Sequence, residues 1–401
     1  MTRLIHCGIN IDPMNVHGNP TASELQAPGA TWVRFTFKDA SAGPQPSAFP
    51  AFDPIVQALS EAGICILMIL DYETCPGKPA FDAPSAEWGA YTDRFVARCR
   101  QVAQHYGPSV VGYQVWNEPD LAQAGPHYDP RVPEASFAHM LKDAFTAVKE
   151  VSAATVVVGG LCAGDPGYVT RVVNALLEKV LYADAVGVHP YGQRPTADWP
   201  SPTWGHGLLS DLLRRYYAAA HKPIWVTEVG TTDPRWQDAF PGQVFGAVNE
   251  ALSAQVPYVF WFCWSDGMVS PYGLVQVDGQ PKGSYASFQD FARQPMEEEA
   301  GVPAAPDYHS HYLLLPGGAG WNWYTACRHY LQKYRCTCGE SLDDAAKVHG
   351  TLGHTITCIN PTPGGIAYLR RLNPEAHLDI CLLYTSPSPR DLSTSRMPSS
   401  A

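Results

Sequence analysis

The chain alternates short apolar runs with longer amphipathic stretches over about its first 293 residues. The apolar runs are rich in β-branched and aromatic residues and are bounded by turn-forming residues, which is typical of strands that are covered on both faces. This pattern predicts a series of strands. They are Leu4–Ile11, Thr31–Phe37, Ile64–Leu70, Val110–Trp116, Thr155–Leu161, Ala185–His189, Ile224–Thr227 and Tyr258–Trp264.

The amphipathic stretches between these strands predict helices. Asp53 and Pro54 supply a capping residue and a first-turn proline, so we expect one helix to begin there and to end at Gly63. The other predicted helices run from about Ser85 to Gly107 and cover roughly residues 134–152, 166–181, 207–221, 242–254 and 283–293, with a weak first helix near Ser23–Gln26.

Repeated strand-then-helix units indicate an α/β fold with a parallel sheet. Eight such units predict that residues 1–293 close into a (β/α)8 barrel, the TIM barrel. A doubly wound open sheet is the structural alternative. The first strand is not followed by G-x-G-x-x-G, which weakens any interpretation as a dinucleotide-binding fold.

The composition changes after Arg293. Residues 294–307 are predicted to be a linker because they combine a run of glutamates with small residues and prolines. Residues 308–381 are predicted to form a small α+β module of unknown role, in which Trp321, Trp323 and Tyr324 suit a small core better than a carbohydrate site. Cys336 and Cys338 form C-x-C rather than C-x-x-C, so they support a zinc site only weakly. Residues 382–401 are rich in Ser, Pro and Arg, and we interpret them as a non-native or disordered tail.

Charge and hydropathy exclude several classes of partner. The formal net charge is −11, which repels phosphate backbones, so we expect no nucleic-acid partner. No run approaches the ~20 apolar residues that span a membrane, so no membrane association is expected. The N-terminal residues have no apolar signal core, which predicts a cytoplasmic protein as the sequence is written and a secreted one if a leader was lost. The sequence leaves the oligomeric state open.

Two glutamates stand out by their positions. Glu118 follows the fourth predicted strand and Glu228 follows the seventh. The carboxyl ends of all strands in a parallel barrel open onto one face, so these side chains can meet across its mouth. Paired carboxyl groups suit cleavage of a glycosidic bond: one protonates the leaving oxygen, and the other attacks the anomeric carbon or activates water. Arg34 lies on the second strand and can hold Glu228 ionised by its positive charge.

The sequence around these glutamates resembles the clan A glycoside hydrolases over about residues 1–293. Trp116-Asn117-Glu118-Pro119-Asp120 matches the clan's Asn-Glu-Pro at strand four, and Trp225-Val226-Thr227-Glu228 matches its glutamate at the end of strand seven. Families 5 and 39 are the most similar. The resemblance implies a retaining hydrolase of β-linked glycosides or polysaccharides that works without a metal or other cofactor, with Glu118 as acid/base and Glu228 as nucleophile.

The resemblance extends to five further positions. Arg34 is similar to the clan's strand-two arginine that supports the nucleophile, and Asn117 to the asparagine that binds the sugar 2-hydroxyl. His189 and Tyr191, in His-Pro-Tyr, are similar to a strand-six pair near the nucleophile and the bound sugar. Trp264 is similar to the strand-eight tryptophan beneath the sugar at the cleaved bond.

Other polar and aromatic residues near strand ends are weaker candidates. Their side chains either contact the sugar or pack within the protein. The carboxylates are Asp12, Asp71 and Asp120, and the loop aromatics are Trp204, Trp236 and Tyr272.

Competing functions remain open from the sequence alone. A non-catalytic carbohydrate-binding barrel is disfavoured by the intact glutamate pair, whereas a transglycosylase shares the same intermediate and is not separable. An aldolase needs a lysine at a strand end, and no predicted strand ends in Lys. A metal-dependent hydrolase needs clustered ligands, and His189 is the one convincing strand-end histidine. The sugar and the choice between endo and exo action are not encoded in these motifs.

Overall fold

The structure is a computed structural model. It describes residues 2–125, 128–199, 207–296, 311–314, 337–339, 355–359, 366, 369 and 377–381. Eight parallel strands close into a barrel in sequence order, with the eighth paired to the first, which confirms the predicted TIM barrel. The strands are β1 (His6–Asn10), β2 (Trp32–Thr36), β3 (Cys65–Leu70), β4 (Gly112–Val115), β5 (Thr155–Leu161), β6 (Ala185–Val188), β7 (Ile224–Val229) and β8 (Tyr258–Trp261).

A helix follows each strand and packs on the outside of the barrel. The weak first helix forms because Thr21 and Glu24 build a capping box, in which each side chain accepts a hydrogen bond from the other residue's backbone N–H. The helices are α1 (Ala22–Gln26), α2 (Phe49–Glu61), α3 (Ser85–Tyr106), α4 (Glu134–Lys149), α5 (Gly167–Ala175), α6 (Leu209–Ala220), α7 (Phe240–Leu252) and α8 (Gly283–Ala292).

The predicted start of the second helix is wrong. It begins at Phe49, with Pro50 in its first turn, and Pro54 lies inside it rather than at its start. A proline inside a helix lacks one N–H donor, so the carbonyl four residues earlier loses its partner. Phe52, Val56 and Leu59 offset this loss by burying one helical face against the barrel.

The barrel interior is filled by large side chains that come from most of the strands. Residues two apart along a strand share a face, so Trp32 and Arg34 both point into the barrel. Arg34 lies one layer nearer the carboxyl end of the strand. Gly8 is required on β1, because a Cβ there would lie 2.2 Å from the ring of Phe260. The interior cluster consists of Trp32, Leu67, Val157, Ala185, Trp225 and Phe260.

The chain beyond the barrel is a separate compact unit. Contacts divide the chain into Met1–Glu297 and Glu298–Ala401. The second unit contains a parallel sheet in the order β10-β9-β11-β12. The predicted linker, module and tail boundaries stay predictions, and Trp321, Trp323, Tyr324 and Cys336 lie outside the described residues. The strands are β9 (His311–Leu314), β10 (Thr337–Gly339), β11 (Thr355–Ile359) and β12 (His377–Cys381).

In the described ranges, none of the helices is both long enough and apolar enough to cross a bilayer.

A buried ion pair fixes the loop between β2 and α2. Arg98 on α3 contacts Asp39, and their side chains are 5% and 0% exposed. Asp39 also accepts hydrogen bonds from the backbone of Ser41 and the hydroxyl of Ser47, while Arg98 donates to the carbonyl of Gly43. The pair therefore holds the segment that follows Lys38, which is part of the cleft described below.

We predict that Arg98→Met destabilises the protein by about 3–5 kcal/mol, because Asp39 is left as an uncompensated buried charge. Arg100→Met on the same helix removes a pair with Glu150 whose side chains are 43% and 50% exposed, and it should change stability by at most about 1 kcal/mol. Urea denaturation of both variants measures the difference. Equal effects would show that the buried pair has no special role.

Candidate active site

A cleft of about 580 Å³ opens at the carboxyl ends of the strands and contains both Glu118 and Glu228. Its size is within the usual range for a small-molecule site. A groove of similar size, about 600 Å³, lies between α7 and α8, but it includes neither glutamate. The remaining polar wall of the cleft comes from Asn10, Asp12, Arg34, Lys38, Glu73, Asn117 and Tyr128, and its apolar wall includes Ile11, Phe35, Ile69, Phe262, Met268 and Val269.

The guanidinium of Arg34 is the centre of the site. This side chain is 1% exposed, and its nitrogens face acceptors that lie on β1, β4 and β7 and in the turns directly after β4 and β6. A buried charge of this kind is tolerated only when its donors are satisfied. The partners are Gln114 Oε1 at 2.8 Å, Asn10 Oδ1 at 2.6 Å, Glu228 Oε1 at 2.6 Å, Asn117 Oδ1 at 2.7 Å and His189 Nε2 at 3.3 Å.

Glu228 lies at the end of β7 with both carboxylate oxygens occupied. Oε1 accepts from Arg34 at 2.6 Å, and Oε2 accepts from the Tyr191 hydroxyl at 3.0 Å. Burial and the charge of Glu228 hold the pKa of Tyr191 well above its ordinary value, so this phenol stays protonated and donates. The pairing register of β7 with β8 shifts between Val226 and Val229, and such an irregularity re-aims a strand side chain.

Glu118 is presented by an unusual backbone turn after β4. Trp116 and Glu118 both have positive φ, 70° and 52°, which non-glycine residues adopt only when their surroundings impose it. The indole of Trp116 is fully buried and donates to the carbonyl of Pro130 at 2.6 Å, while the N–H of Glu118 donates to the carbonyl of Gly159 at 3.2 Å. These contacts turn Glu118 into the cleft.

Gly160 on β5 makes room for the same cluster. Its φ is +72°, and a Cβ there would lie 2.7 Å from Nε2 of His189 and 2.9 Å from Oδ1 of Asn117. A side chain at this position would therefore separate the two strands that bring His189 and Asn117 together.

His189 is placed between the two glutamates. Its Nδ1 lies 2.8 Å from Glu118 Oε1, and its Nε2 lies 3.5 Å from Glu228 Oε1. Arg34 is only a donor and faces Nε2, so Nε2 accepts and Nδ1–H donates to Glu118; this tautomer is assigned from the partners. His189 thereby connects the two carboxylates through one rigid ring.

The two glutamates approach each other closely. One carboxylate oxygen of Glu118, one of Glu228 and a ring nitrogen of His189 lie within 4.8 Å of one another. The same atoms are a potential set of metal ligands among the described residues. Arg34, however, already places a fixed positive charge on Glu228 and faces His189 Nε2. The donor set therefore suits proton transfer and nucleophilic attack better than cation binding.

Opposing influences set the protonation of Glu118. Burial raises its pKa, but the hydrogen bonds from His189 and Tyr128, together with the charge of Arg34, outweigh burial and bring the pKa below its ordinary value. Tyr128 donates to Oε2 at 2.9 Å. A carboxyl group with a lowered pKa is ionised near neutral pH.

Six of the seven site residues predicted from the sequence are brought together, and Trp264 is not. Glu118, Glu228, Arg34, Asn117, His189 and Tyr191 form one hydrogen-bonded cluster. The ring of Trp264 is 8% exposed and packs in the hydrophobic core. β8 ends at Trp261, and Phe262 forms the cleft wall instead.

The weaker candidates separate into cleft, buried and packing residues. Asp12 lines the cleft and pairs with Lys38 at 2.9 Å. Asp120 accepts from the backbone of Cys162 and Ala163 and joins the loops after β4 and β5. Trp236 packs on Trp199, Tyr272 packs on Phe262 and Tyr191, and Trp204 lies outside the described residues.

Several residues of the site were missed from the sequence. Asn10 and Gln114 are interior strand residues that bind Arg34, and Tyr128 binds Glu118 from a loop. Strand alternation could have found the first two, because each lies two residues after an inward-facing glycine. No comparable sequence pattern identifies Tyr128, since a position in a loop does not determine the direction of its side chain.

The model of the cellulase family, glycosyl hydrolase family 5, matches residues 9–267. The chain therefore belongs to this family of glycoside hydrolases, which confirms the resemblance to clan A. No curated protein matches the chain.

Solved structures of low sequence identity share the fold. A family 39 glycoside hydrolase from Bacteroides cellulosilyticus WH2 is 21% identical with a TM-score of 0.55, over 72% of this chain and 64% of that one. An exo-β-1,4-mannosidase from Opitutaceae bacterium strain TAV5 is 17% identical with a TM-score of 0.53, over 92% and 79%. A family 5, subfamily 18 protein from Streptomyces cattleya, solved with GlcNAc, is 16% identical with a TM-score of 0.54, over 98% and 100%.

Asp71 lies beneath the cleft rather than in it. It is 3% exposed and accepts from the N–H of Glu73 at 2.8 Å. Burial, with the nearby charge of Glu73, raises its pKa from 3.8 to about 7. Its proton is therefore bound more tightly in the folded chain than in the unfolded one.

We predict a pH-dependent difference in stability between the wild type and Asp71→Asn. The folded pKa is raised, so the contribution of Asp71 is fully present below about pH 4 and is lost as the pH rises through about 7. Between about pH 5 and pH 8, Asp71→Asn should gain about 2 kcal/mol relative to the wild type. Chemical denaturation measures this, with exposed Asp143→Asn as control. If the difference in stability between Asp71→Asn and the wild type is the same at every pH in this range, the raised pKa of Asp71 is contradicted.

Proposed function

We propose that this chain is a retaining glycosidase that cleaves β-linked glycosides through a covalent glycosyl-enzyme. The observation that carries the proposal is the approach of Glu118 and Glu228 to within 4.8 Å across the cleft. Retaining enzymes hold their carboxyl groups about 5–5.5 Å apart, whereas inverting enzymes leave about 6.5–9.5 Å for a water molecule. The short separation favours direct attack by a carboxylate.

In the first step, a carboxylate oxygen of Glu228 attacks the anomeric carbon. The bond from that carbon to the leaving oxygen breaks, and Glu118 donates its proton to the departing oxygen. The products are the free leaving group and an ester between the sugar and Glu228. Arg34 and Tyr191 suit Glu228 to this role, because their hydrogen bonds stabilise negative charge on it before attack and on its return.

In the second step, Glu118 is a carboxylate and takes a proton from water. The water oxygen attacks the anomeric carbon on the face that the leaving group vacated, and the ester bond to Glu228 breaks. The sugar leaves with its original configuration, and Glu118 is again protonated. An acceptor sugar in place of water gives transglycosylation by the same route.

The remaining predicted residues are proposed either to contact the sugar or to position the two glutamates. Asn117 lies beside Glu118 in the cleft lining and suits contact with the 2-hydroxyl. Phe262, rather than Trp264, is available as the apolar surface under a sugar ring. We propose His189 and Tyr191 as positioning residues for the two glutamates, because both are hydrogen-bonded to carboxylate oxygens rather than open to the cleft.

The charged residues that line the cleft suit a neutral sugar. Lys38 lies 2.9 Å from Asp12 and 4.0 Å from Glu73, so one positive charge meets two negative ones. A sugar carboxylate would be repelled there, whereas hydroxyl groups find both donors and acceptors. The panel of test substrates should therefore include aryl β-glucosides, β-mannosides and β-xylosides together with the corresponding β-glucans, mannans and xylans.

A non-catalytic carbohydrate-binding barrel is the second candidate. It would need neither the strained backbone at Trp116 and Glu118 nor two hydrogen-bonded carboxylates facing each other. Backbone strain of this kind persists where function requires it. Turnover of any member of the substrate panel separates the two candidates.

We predict that Glu118→Ala lowers the turnover of an aryl β-glycoside with a poor leaving group by about 10²–10⁴-fold, because the proton donor is lost. A 2,4-dinitrophenyl glycoside needs no proton for departure, so its first step should survive. Added azide should then restore its turnover and yield the β-glycosyl azide. Rates and product NMR are the measurements.

The control is Glu150→Ala, which removes an exposed glutamate that pairs with Arg100 on the outer helices and should leave the activity unchanged. An α-azide product would contradict retention. Full activity of Glu118→Ala on the poor leaving group would contradict the acid/base assignment.

A further inference from the structure

The hydrogen bonds of Glu118 conflict with its proposed role, and the conflict identifies a further functional residue. A general acid must carry a proton when the substrate is bound. Both oxygens of Glu118 instead accept hydrogen bonds, Oε1 from His189 and Oε2 from Tyr128. Such donors stabilise the ionised form. Something must therefore change at Glu118 when a substrate enters.

The two oxygens of Glu118 differ in where they face. His189, which binds Oε1, has a side chain that is 0% exposed and is fixed between Arg34 and the glutamates. Tyr128, which binds Oε2, is 37% exposed and lines the cleft. Oε2 is therefore the oxygen that faces the space for a substrate, and the Tyr128 hydroxyl occupies one of the positions from which a leaving-group oxygen contacts it.

The Tyr128 hydroxyl is held in this position by a second polar contact. It accepts from Asn117 Nδ2 at 3.1 Å while donating to Glu118 at 2.9 Å. Burial and the charges of Glu118 and Glu228 raise the pKa of Tyr128, so the phenol stays protonated. Its one O–H therefore points at Glu118, and its oxygen stands where a glycosidic oxygen would accept a hydrogen bond from the protonated carboxyl group.

Resting on the proposed function, we propose that Tyr128 is a positioning residue that holds the place of the leaving-group oxygen on Glu118 Oε2 and is displaced from it by the substrate. Displacement removes a donor from the carboxylate and excludes water from it. Both changes favour the protonated form. The protonation of the acid is thereby linked to the arrival of the bond that it must cleave.

Displacement of Tyr128 by the substrate affects the pH dependence of kcat/KM and that of kcat differently. The alkaline limb of kcat/KM reports the acid in the free enzyme, and that of kcat reports it in the substrate complex. The substrate is the phenyl β-glycoside of the sugar that the panel identifies, because its poor leaving group requires the proton and makes the first step limiting. In Tyr128→Phe, the limb of kcat/KM should move upward by about one pH unit, and the limb of kcat should stay in place.

The control variant is Tyr182→Phe, which makes the same chemical change on the outer layer, where Tyr182 packs on Phe145; both its limbs should match the wild type. The other titratable groups that face Glu118 are unchanged in both variants. They are Arg34, Tyr72, Cys162, His189, Tyr191 and Glu228.

Three results would overturn the proposal. An unmoved or lowered limb of kcat/KM in Tyr128→Phe means that the hydroxyl does not hold Glu118 ionised. Equal upward movement of both limbs means that the bond persists in the complex. In the wild type alone, which needs no variant to fold, a kcat limb no higher than the kcat/KM limb contradicts displacement. Full activity of Glu118→Ala would instead contradict the proposed function itself.

Discussion

The buried guanidinium of Arg34 is the interaction on which the site depends. A charge that is removed from water must be satisfied by the protein, and five acceptors from four strands and the turns that follow them converge to satisfy it. The same contacts set the positions of Glu228, Asn117 and His189, so the geometry of the catalytic cluster follows from the requirements of one cation. Replacing any strand partner would leave that cation undercompensated and would disturb all the others.

The barrel makes this convergence possible by controlling how closely backbones approach. Gly160 admits His189 and Asn117 to the same space, and the shift in pairing after Val226 aims Glu228 inward. The turn at Trp116 and Glu118 adopts positive φ because a buried indole anchors it. One side of the cleft is thus built from strand ends, and the side that carries Tyr128 comes from a loop. This division suits the proposed mechanism, in which Glu228 attacks from a fixed position and Glu118 responds to the substrate.

The sequence predicts this architecture wherever burial imposes a regular pattern of hydrophobic residues on the chain. Strands covered on both faces are continuously apolar, so all eight were recognised, and Glu118 and Glu228 followed from their places at strand ends. Trp264 was misplaced because the chain leaves the sheet after Trp261, where alternation no longer determines direction. The local preference of Pro54 predicts that the helix starts there. In the structure the helix starts earlier, because the burial of Phe52 and Val56 outweighs that preference, and this burial depends on tertiary packing. Tyr128 could not be found, since its contact with Glu118 is made by loop geometry alone.

The central claim is that Glu228, held by Arg34, becomes covalently bonded to the sugar. A 2,4-dinitrophenyl 2-deoxy-2-fluoro-β-glycoside tests it, because fluorine slows both steps while the leaving group restores the first, so the ester accumulates. Mass spectrometry of the intact protein should show the addition of one fluoroglycosyl unit, and peptide mapping should place it on Glu228. No mass increase during inactivation, or a label on any other side chain, would contradict the account.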